Sequence, residues 1–244
     1  MHRLRPSTWR LLHARRDPMV ALIVAGGDIA PRDRLDDAWP GWDTGVDLVV
    51  AADGGALNAE RLGIAPDVVV GDADSLTPDQ LRRLRDADVP VELSPVAKDA
   101  TDLELAVGAA LTRGARALVI LGAFGGGRFD HALGNLALLA LPALRDRPTV
   151  MLDATTRVRY LAAPPLIHEL LTGRVGDIVS LLPLGGSADG VTTSGLTYPL
   201  HDEPLEVGSS RGISNVRCEH EASVSLSRGH LFVIETTDPQ GATG

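Results

Sequence analysis

Val68-Val69-Val70-Gly71-Asp72-Ala73-Asp74-Ser75 is the stretch on which the fold reading turns. Three β-branched residues read as a buried strand, Gly71 frees the backbone, and two carboxylates follow at alternate positions. Aspartates at i and i+2, just past the carboxyl end of a strand, can hold one divalent cation between them. Hard cations such as Mg2+ prefer carboxylate oxygens and usually arrive with a phosphate-bearing substrate. The same residues also read as a polar turn that caps the next helix.

Four other segments repeat the pattern. Asp47–Ala51 runs into Asp53-Gly54-Gly55, and Val89–Leu93 is soon followed by Lys98-Asp99-Ala100-Thr101-Asp102. Ala117–Leu121 leads to Gly125-Gly126-Gly127-Arg128-Phe129-Asp130-His131, and Val20–Val24 leads to Gly26-Gly27-Asp28. Helical patterns lie between: 56–62 ends at Gly63 and 101–113 ends at Gly114, glycines placed where a C-cap is expected. Thr77-Pro78-Asp79-Gln80 reads as an N-cap, a proline at N1 and a glutamine at N3. Alternating strands and helices predict a parallel sheet with right-handed crossovers, so all five strands point their carboxyl ends the same way. Ligands of open α/β sheets bind at that edge. The spacing therefore gathers five weak local signals into one acidic, glycine-lined site.

Each segment has a plainer reading beside this one. Thr101-Asp102-Leu103-Glu104 is also a capping box. Asp53-Gly54-Gly55 is also an ordinary strand-to-helix turn, and Gly125–Gly127 a flexible loop. Yet a glycine run before an arginine and a new helix suits phosphate, because bare amides approach closely and the guanidinium adds a fork of donors. His131 reads as a capping or core histidine rather than a metal ligand. Lys98 is the only lysine in the chain, and reads either as a phosphate contact or as a solvated loop residue. The P-loop pattern, the dinucleotide G-x-G-x-x-G and the G-x-S-x-G elbow are all missing. What is left is a carboxylate-rich site for Mg2+–nucleotide chemistry.

Past Pro148 the helical periodicity fades, and short β-type runs appear at 149–152, 157–162, 177–182, 205–207, 222–226 and 230–235. Turn residues separate them, which reads as a small β-sandwich. The fold expectation is thus an N-terminal α/β domain over 19–148 and a smaller C-terminal β-sandwich over 149–236. An Arg-rich tail at 1–18 is read as an appendage or a misassigned start without a targeting role, and 237–244 as a frayed end. A net charge of −9 argues against a general nucleic-acid binder. Cys218 is the one cysteine, which excludes an internal disulfide and fits a reducing cytoplasm, the expected location. No apolar run reaches about 18 residues, so no membrane-spanning segment is expected.

The motifs together resemble the thiamine pyrophosphokinases. The resemblance rests on Asp53-Gly54-Gly55, Gly71–Ser75, Thr101-Asp102 and Gly126–His131, and continues in Gly195-Leu196-Thr197-Tyr198 and Gly212-Ile213-Ser214-Asn215. It covers about residues 20 to 236, with the motifs in the family's order. Two departures stand out: the family usually has an aromatic residue where Ala73 stands, and often a basic residue then tryptophan where Thr197-Tyr198 stand. The resemblance implies transfer of a pyrophosphoryl group from ATP to the hydroxyl of thiamine, giving thiamine diphosphate and AMP. It implies Asp53, Asp72 and Asp74 as Mg2+ residues, and Asp72, Asp74 and Asp102 as catalytic ones. Lys98, Asp99, Gly125, Gly126, Gly127, Arg128, Asp130 and His131 are implied on the ATP side, and Tyr198, Ser214 and Asn215 on the thiamine side. A homodimer with composite sites is implied as well. Two rival functions stay open: a pyrophosphokinase acting on another small alcohol such as a hydroxymethyl pterin, and a non-catalytic sensor of thiamine or nucleotide. The full set Asp53, Asp72, Asp74 and Asp102 argues against the sensor, since a pure binder has no need of every carboxylate.

Overall fold

The computed structural model describes residues 19–94, 99–125 and 127–237. The chain divides into two compact units, the first closing at Ala154 and the second opening at Thr155.

The first unit alternates strand and helix. Its strands are β1 (Val20–Val24), β2 (Val46–Ala52), β3 (Val68–Gly71), β4 (Val91–Leu93), β5 (Ala117–Leu121) and β6 (Thr149–Leu152), and its helices α1 (Arg32–Ala38), α2 (Gly55–Arg61), α3 (Pro78–Asp86), α4 (Asp102–Thr112) and α5 (Phe129–Leu138). The strands lie in the order β6-β5-β1-β2-β3-β4, and every pair among them is parallel. The apolar runs of β1 and β5 are buried at every position, as strands covered on both faces require. Thr77 and Gln80 form the reciprocal capping box expected for α3, and the Thr101 hydroxyl accepts from the Glu104 N–H to start α4. Leu103, Ala106, Val107 and Ala110 of α4 are buried. Their spacing makes one helical stripe, and it packs on β2 and β3.

Two expectations change here. Thr149–Leu152 was expected among the short strands of the second unit. It instead pairs in parallel with β5, because Val150, Met151 and Leu152 are all buried and a continuous apolar run belongs inside a covered sheet. The change of architecture therefore falls after Ala154. Thr237, expected in a frayed end, is buried and donates its N–H to Thr155 O at 2.9 Å.

The second unit is the expected sandwich. Its strands are β7 (Thr156–Ala163), β8 (Ile167–Thr172), β9 (Ile178–Pro183), β10 (Ala188–Ser194), β11 (Glu203–Leu205), β12 (Asn215–Val216), β13 (Glu221–Leu226) and β14 (Gly229–Thr236). They form one sheet ordered β12-β9-β14-β7 and another ordered β11-β10-β13-β8, all antiparallel. Alternate residues of both sheets, among them Leu161, Leu171, Leu181, Val191, Val224, Leu226, Leu231 and Val233, meet in one core. Each such leucine or valine contributes about 1.5–3 kcal/mol by leaving water.

A buried charge cluster sits in this unit. Glu235 on β14 takes a fork from Arg157, with Nε to Oε2 at 2.9 Å and Nη2 to Oε1 at 2.7 Å. Arg159 donates to Oε2, and the fully buried Arg217 donates to Oε1 at 2.8 Å and to Leu171 O at 2.8 Å. Burial alone pushes the Glu235 carboxyl up. The charges of Arg159, Arg157 and Arg217 and the Arg157 hydrogen bond outweigh that, leaving it at about 2 against an ordinary 4.5. Burial, the largest influence on Arg217, pulls that guanidinium down. Because the Glu235 carboxyl is depressed in the folded state, its stabilisation is complete above pH 4.5 and fades as pH falls toward about 2. Glu235→Gln is expected to cost about 3–5 kcal/mol in chemical denaturation, since it strands buried guanidinium charge. It should also flatten the acid limb of stability measured by circular dichroism. A loss below about 1 kcal/mol would mean the cluster is solvated in solution.

Candidate active site

Parallel pairing sets the carboxyl ends of β1, β2, β3 and β5 along one edge, and the acidic residues follow from there. Asp53 leaves β2 with φ 42°, its N–H held by Val70 O at 2.8 Å and its carbonyl taking the Ala56 N–H at 3.0 Å. That turn starts α2 at Gly55, where a side chain has no room: a Cβ there would stand 1.9 Å from Val24 O. Asp72 and Asp74 follow β3 across Ala73, which has φ 62°. The Asp74 N–H donates to Asp72 Oδ1 at 3.2 Å, and the Ser75 hydroxyl to Asp74 Oδ1 at 3.1 Å. Two non-glycine residues in the left-handed region this close together mark a backbone held in a costly shape, and such strain concentrates at functional sites.

The result is a carboxylate cluster. Asp53, Asp72 and Asp74 each offer an oxygen, all within 4.8 Å of one another. Asp53 is buried, and its Oδ1 has no hydrogen-bond partner. A buried, unsatisfied carboxylate oxygen beside two further carboxylates is costly unless something positive completes it. Asp102, the first residue of α4, joins them from the next element: its Oδ1 lies 3.1 Å from where a Cβ on Gly71 would stand. Four of the expected residues are thus brought to one place.

The glycine-rich loop lies at the end of β5. Gly125 has φ 77° and Gly127 φ 72°. A Cβ on Gly125 would stand 2.7 Å from Asp28 Oδ2, so the first cluster in the sequence meets the last. Arg128 precedes α5 and grips Asp130 in a fork, Nε to Oδ1 at 3.2 Å and Nη2 to Oδ2 at 2.5 Å. The Arg128 hydrogen bond holds the Asp130 carboxyl below its ordinary value, and Asp130 in turn raises the guanidinium. His131, read as a capping or core residue, is exposed on α5. Asp99 is exposed too. Lys98 and Gly126 lie outside the described residues.

In the second unit the two downstream motifs run side by side. Thr197 N–H donates to Val216 O at 2.8 Å, and Cys218 N–H to Gly195 O at 3.0 Å. Asn215 is buried, and its side chain is taken up by Tyr198: Oδ1 accepts the Tyr198 N–H at 3.0 Å, and Nδ2 donates to Tyr198 O at 2.6 Å. Tyr198 is left 60 % exposed, a ring presented to solvent on a pinned backbone. Ser214 is exposed with φ 57°, its N–H bound to Ser180 Oγ at 3.0 Å. Asn215 thus fixes the Tyr198 segment through its side-chain amide.

Reasoning from sequence missed Asn58 and Asn135. Asn58 donates from Nδ2 to Ala25 O and to Gly27 O, both at 2.8 Å, and Asn135 donates to Ala123 O at 2.9 Å. The signal was available: asparagine is a poor residue for a helix interior, so its presence in α2 and α5 asks for a reason.

Residues 42–152 match the model of the thiamin pyrophosphokinase catalytic domain, and residues 167–231 that of the thiamin pyrophosphokinase vitamin B1 binding domain. A thiamine pyrophosphokinase of Bacillus subtilis is 30 % identical over 216 residues, covering 88 % of this chain and 98 % of that protein. The crystal structure of a thiamine pyrophosphokinase from Bacillus subtilis superposes with a TM-score of 0.75 at 28 % identity, over 90 % of this chain and 99 % of the other. One from Geobacillus thermodenitrificans gives 0.74 at 29 %, over 91 % and 99 %. The chain belongs to the thiamine pyrophosphokinase family, and it is an enzyme.

Gly71 offers a direct check of how tightly the acidic edge is built. Its φ is 155°, and a methyl there would stand 2.8 Å from Asp53 Cβ. Gly71→Ala is expected to cost about 1–3 kcal/mol in urea unfolding, because Asp53 has to move and the backbone is strained. A change below about 0.5 kcal/mol would show a looser edge than this.

Proposed function

We propose that this chain transfers the terminal pyrophosphoryl group of ATP to the hydroxyl of thiamine, giving thiamine diphosphate and AMP, with Mg2+ held by Asp53, Asp72 and Asp74. The observation that carries the reading is the cluster of three carboxylates with one buried, unpartnered oxygen at Asp53. That donor set suits a small hard cation, which oxygen ligands and substrate phosphates bind together. Bound there, the cation would offset charge on the transferred and leaving phosphates.

The chain's own residues divide the remaining work. The thiamine hydroxyl oxygen forms a bond to the β-phosphorus of ATP while the bond from that phosphorus to the α,β-bridging oxygen breaks. AMP leaves with the electron pair. Asp102, beside Gly71 at the head of α4, orients the hydroxyl and accepts its proton. Gly125, Gly126 and Gly127 bring bare amides to the phosphates. Arg128 adds guanidinium donors, with Asp130 fixing its plane. Lys98, Asp99 and His131 complete the ATP side. Positioning and electrostatics of this kind supply most of what phosphoryl transfer asks of a protein. The acidic edge also favours the cationic thiazolium ring. Tyr198 lies against thiamine with Ser214 beside it. Asn215 belongs to the same thiamine-side group and acts by fixing Tyr198. The single cysteine fits a reducing compartment, and the cytoplasm is the proposed location of the reaction.

Incubation of the purified protein with ATP, Mg2+ and thiamine should give AMP and thiamine diphosphate in equal amounts by chromatography. Removal of divalent cations should abolish both. ADP with thiamine monophosphate would overturn the pyrophosphoryl assignment, and turnover with a hydroxymethyl pterin alone would replace the substrate. Asp72→Asn and Asp74→Asn keep side-chain volume, remove a charged ligand, and should each lower kcat about 100-fold or more, as the loss of several kcal/mol of metal assistance requires. Asp102→Asn within about threefold of wild type would reduce that residue to a helix cap.

The active form is proposed to be a homodimer with two equivalent sites, each taking its thiamine-side residues from the partner subunit. A mixed dimer of an Asp72→Asn chain and a Ser214→Ala, Tyr198→Ala chain would then contain one intact site. Activity should return to about half of wild type per dimer, on the assumption of independent sites. Proven subunit exchange without rescue would confine each site to one chain.

A further inference from the structure

The loops after β1 and β5 stand on either side of the point where the strand order turns from β1-β2-β3-β4 to β5-β6. Doubly wound sheets bind ligands at such a point. Here the two loops are locked together by backbone. Ala25 N–H donates to Leu121 O at 2.8 Å and Gly27 N–H to Gly122 O at 2.9 Å. Neither glycine tolerates a side chain: a Cβ on Gly27 would stand 2.4 Å from Gly122 O, and one on Gly122 would stand 2.4 Å from Ala25 O. Just beyond, Asp28 lies over Gly125 at the start of the glycine run.

Two helix asparagines bind the carbonyls of this seam. Asn58 is 3 % exposed. Its Nδ2 binds the carbonyls of Ala25 and Gly27, and its Oδ1 accepts from Arg61 Nη1 at 3.2 Å. Asn135 reaches from α5 to the carbonyl of Ala123. A buried amide is costly unless satisfied, and here the satisfying partners are three carbonyls of the two loops. Apolar residues at these helix positions would pack as well and leave those carbonyls without a donor.

We propose that Asn58 and Asn135 are positioning residues that set the gap between the β1 and β5 loops, and through it the seat of the nucleotide phosphates. The inference rests on ATP being the donor substrate. Neither side chain touches the substrate. Asn58 fixes Ala25–Gly27 against Gly122, which places Asp28 beside Gly125. Asn135 fixes Ala123 from α5. The two act on one seam, so losing either loosens the same loops and should weaken nucleotide binding more than it weakens thiamine binding or the chemical step.

The test uses the full-length protein. Asn58→Ala and Asn135→Ala are compared with wild type by steady-state kinetics in both substrates, and by calorimetric titration with Mg2+ and α,β-methylene ATP, which lacks the bond that breaks. Each variant should raise the KM for ATP and the Kd for the analogue about tenfold. The KM for thiamine should shift less than twofold, and kcat at saturating ATP less than threefold. The double variant should lose less than the product of the two single effects, because both act on one seam. An unchanged KM for ATP with only a lowered melting temperature would make these asparagines structural and overturn the proposal. Equal losses toward both substrates would do the same. If Asn58→Ala does not fold, Asn135→Ala, which removes one hydrogen bond from a half-buried residue, decides the matter by the same criteria. Wild-type protein that fails to bind the analogue at all would instead remove the ATP reading on which the inference stands.

Discussion

Past the last ladder pair of β1 and β5, the chain continues to touch itself through main-chain atoms alone: Ala25 with Leu121, and Gly27 with Gly122. Gly55 presses onto the carbonyl of Val24 from the next element. At Gly27, Gly55 and Gly122 there is no volume for a side chain, so at these positions the backbone itself is the packing surface. Everything at the carboxyl edge is hung from them. The turn at Asp53 leads into the helix that Gly55 starts, and that helix carries Asn58 back to the β1 loop. The glycine-rich loop begins at Gly122, whose φ of 67° only a glycine adopts without strain. A single added methyl along this seam would displace several site residues together, because interiors transmit shifts rather than absorb them.

The acidic edge gives up stability for geometry. Asp53 and Ala73 sit at positive φ, at about 1–3 kcal/mol each, and three carboxylates crowd within 4.8 Å. In the second unit, by contrast, the buried Glu235 carboxylate is held by three guanidinium groups. The contrast separates two uses of charge. Opposite charges in contact inside the sandwich tie Arg157, Arg159, Arg217 and Glu235 into one packing, whereas the carboxylates gathered at the sheet edge leave Asp53 Oδ1 buried without a hydrogen bond.

Much of this could be read from residues alone. The strands, their parallel order and the gathering of Asp53, Asp72, Asp74 and Asp102 follow from apolar runs ended by glycine and aspartate, since a parallel sheet has only one carboxyl edge. Local patterns carried less information where tertiary neighbours decide. Thr149–Leu152 looks like any other short β run, and only its partner β5 assigns it to the first unit. That Asn215 ties down the Tyr198 backbone is likewise settled by tertiary pairing and not by its own segment. His131 is exposed because α5 buries none of its residues, which the mixed apolar sequence of that helix does not announce. The arginines of the sandwich carry no motif, and their common partner Glu235 lies 78 residues beyond Arg157.

The placement of β14 has a consequence for how the protein is made. This strand lies between β7 and β9, yet a ribosome delivers it after both. During synthesis the first unit can close as soon as β6 emerges, since all of its strands are then in hand. The sandwich has no such opportunity. Its two flanking strands wait without the neighbour that joins them, edges open and Arg157 and Arg159 lacking their carboxylate, until the chain has been extended through Glu235. The interval during which one half of the molecule is finished and the other holds unpaired strands is the period when the nascent protein is most open to mispairing.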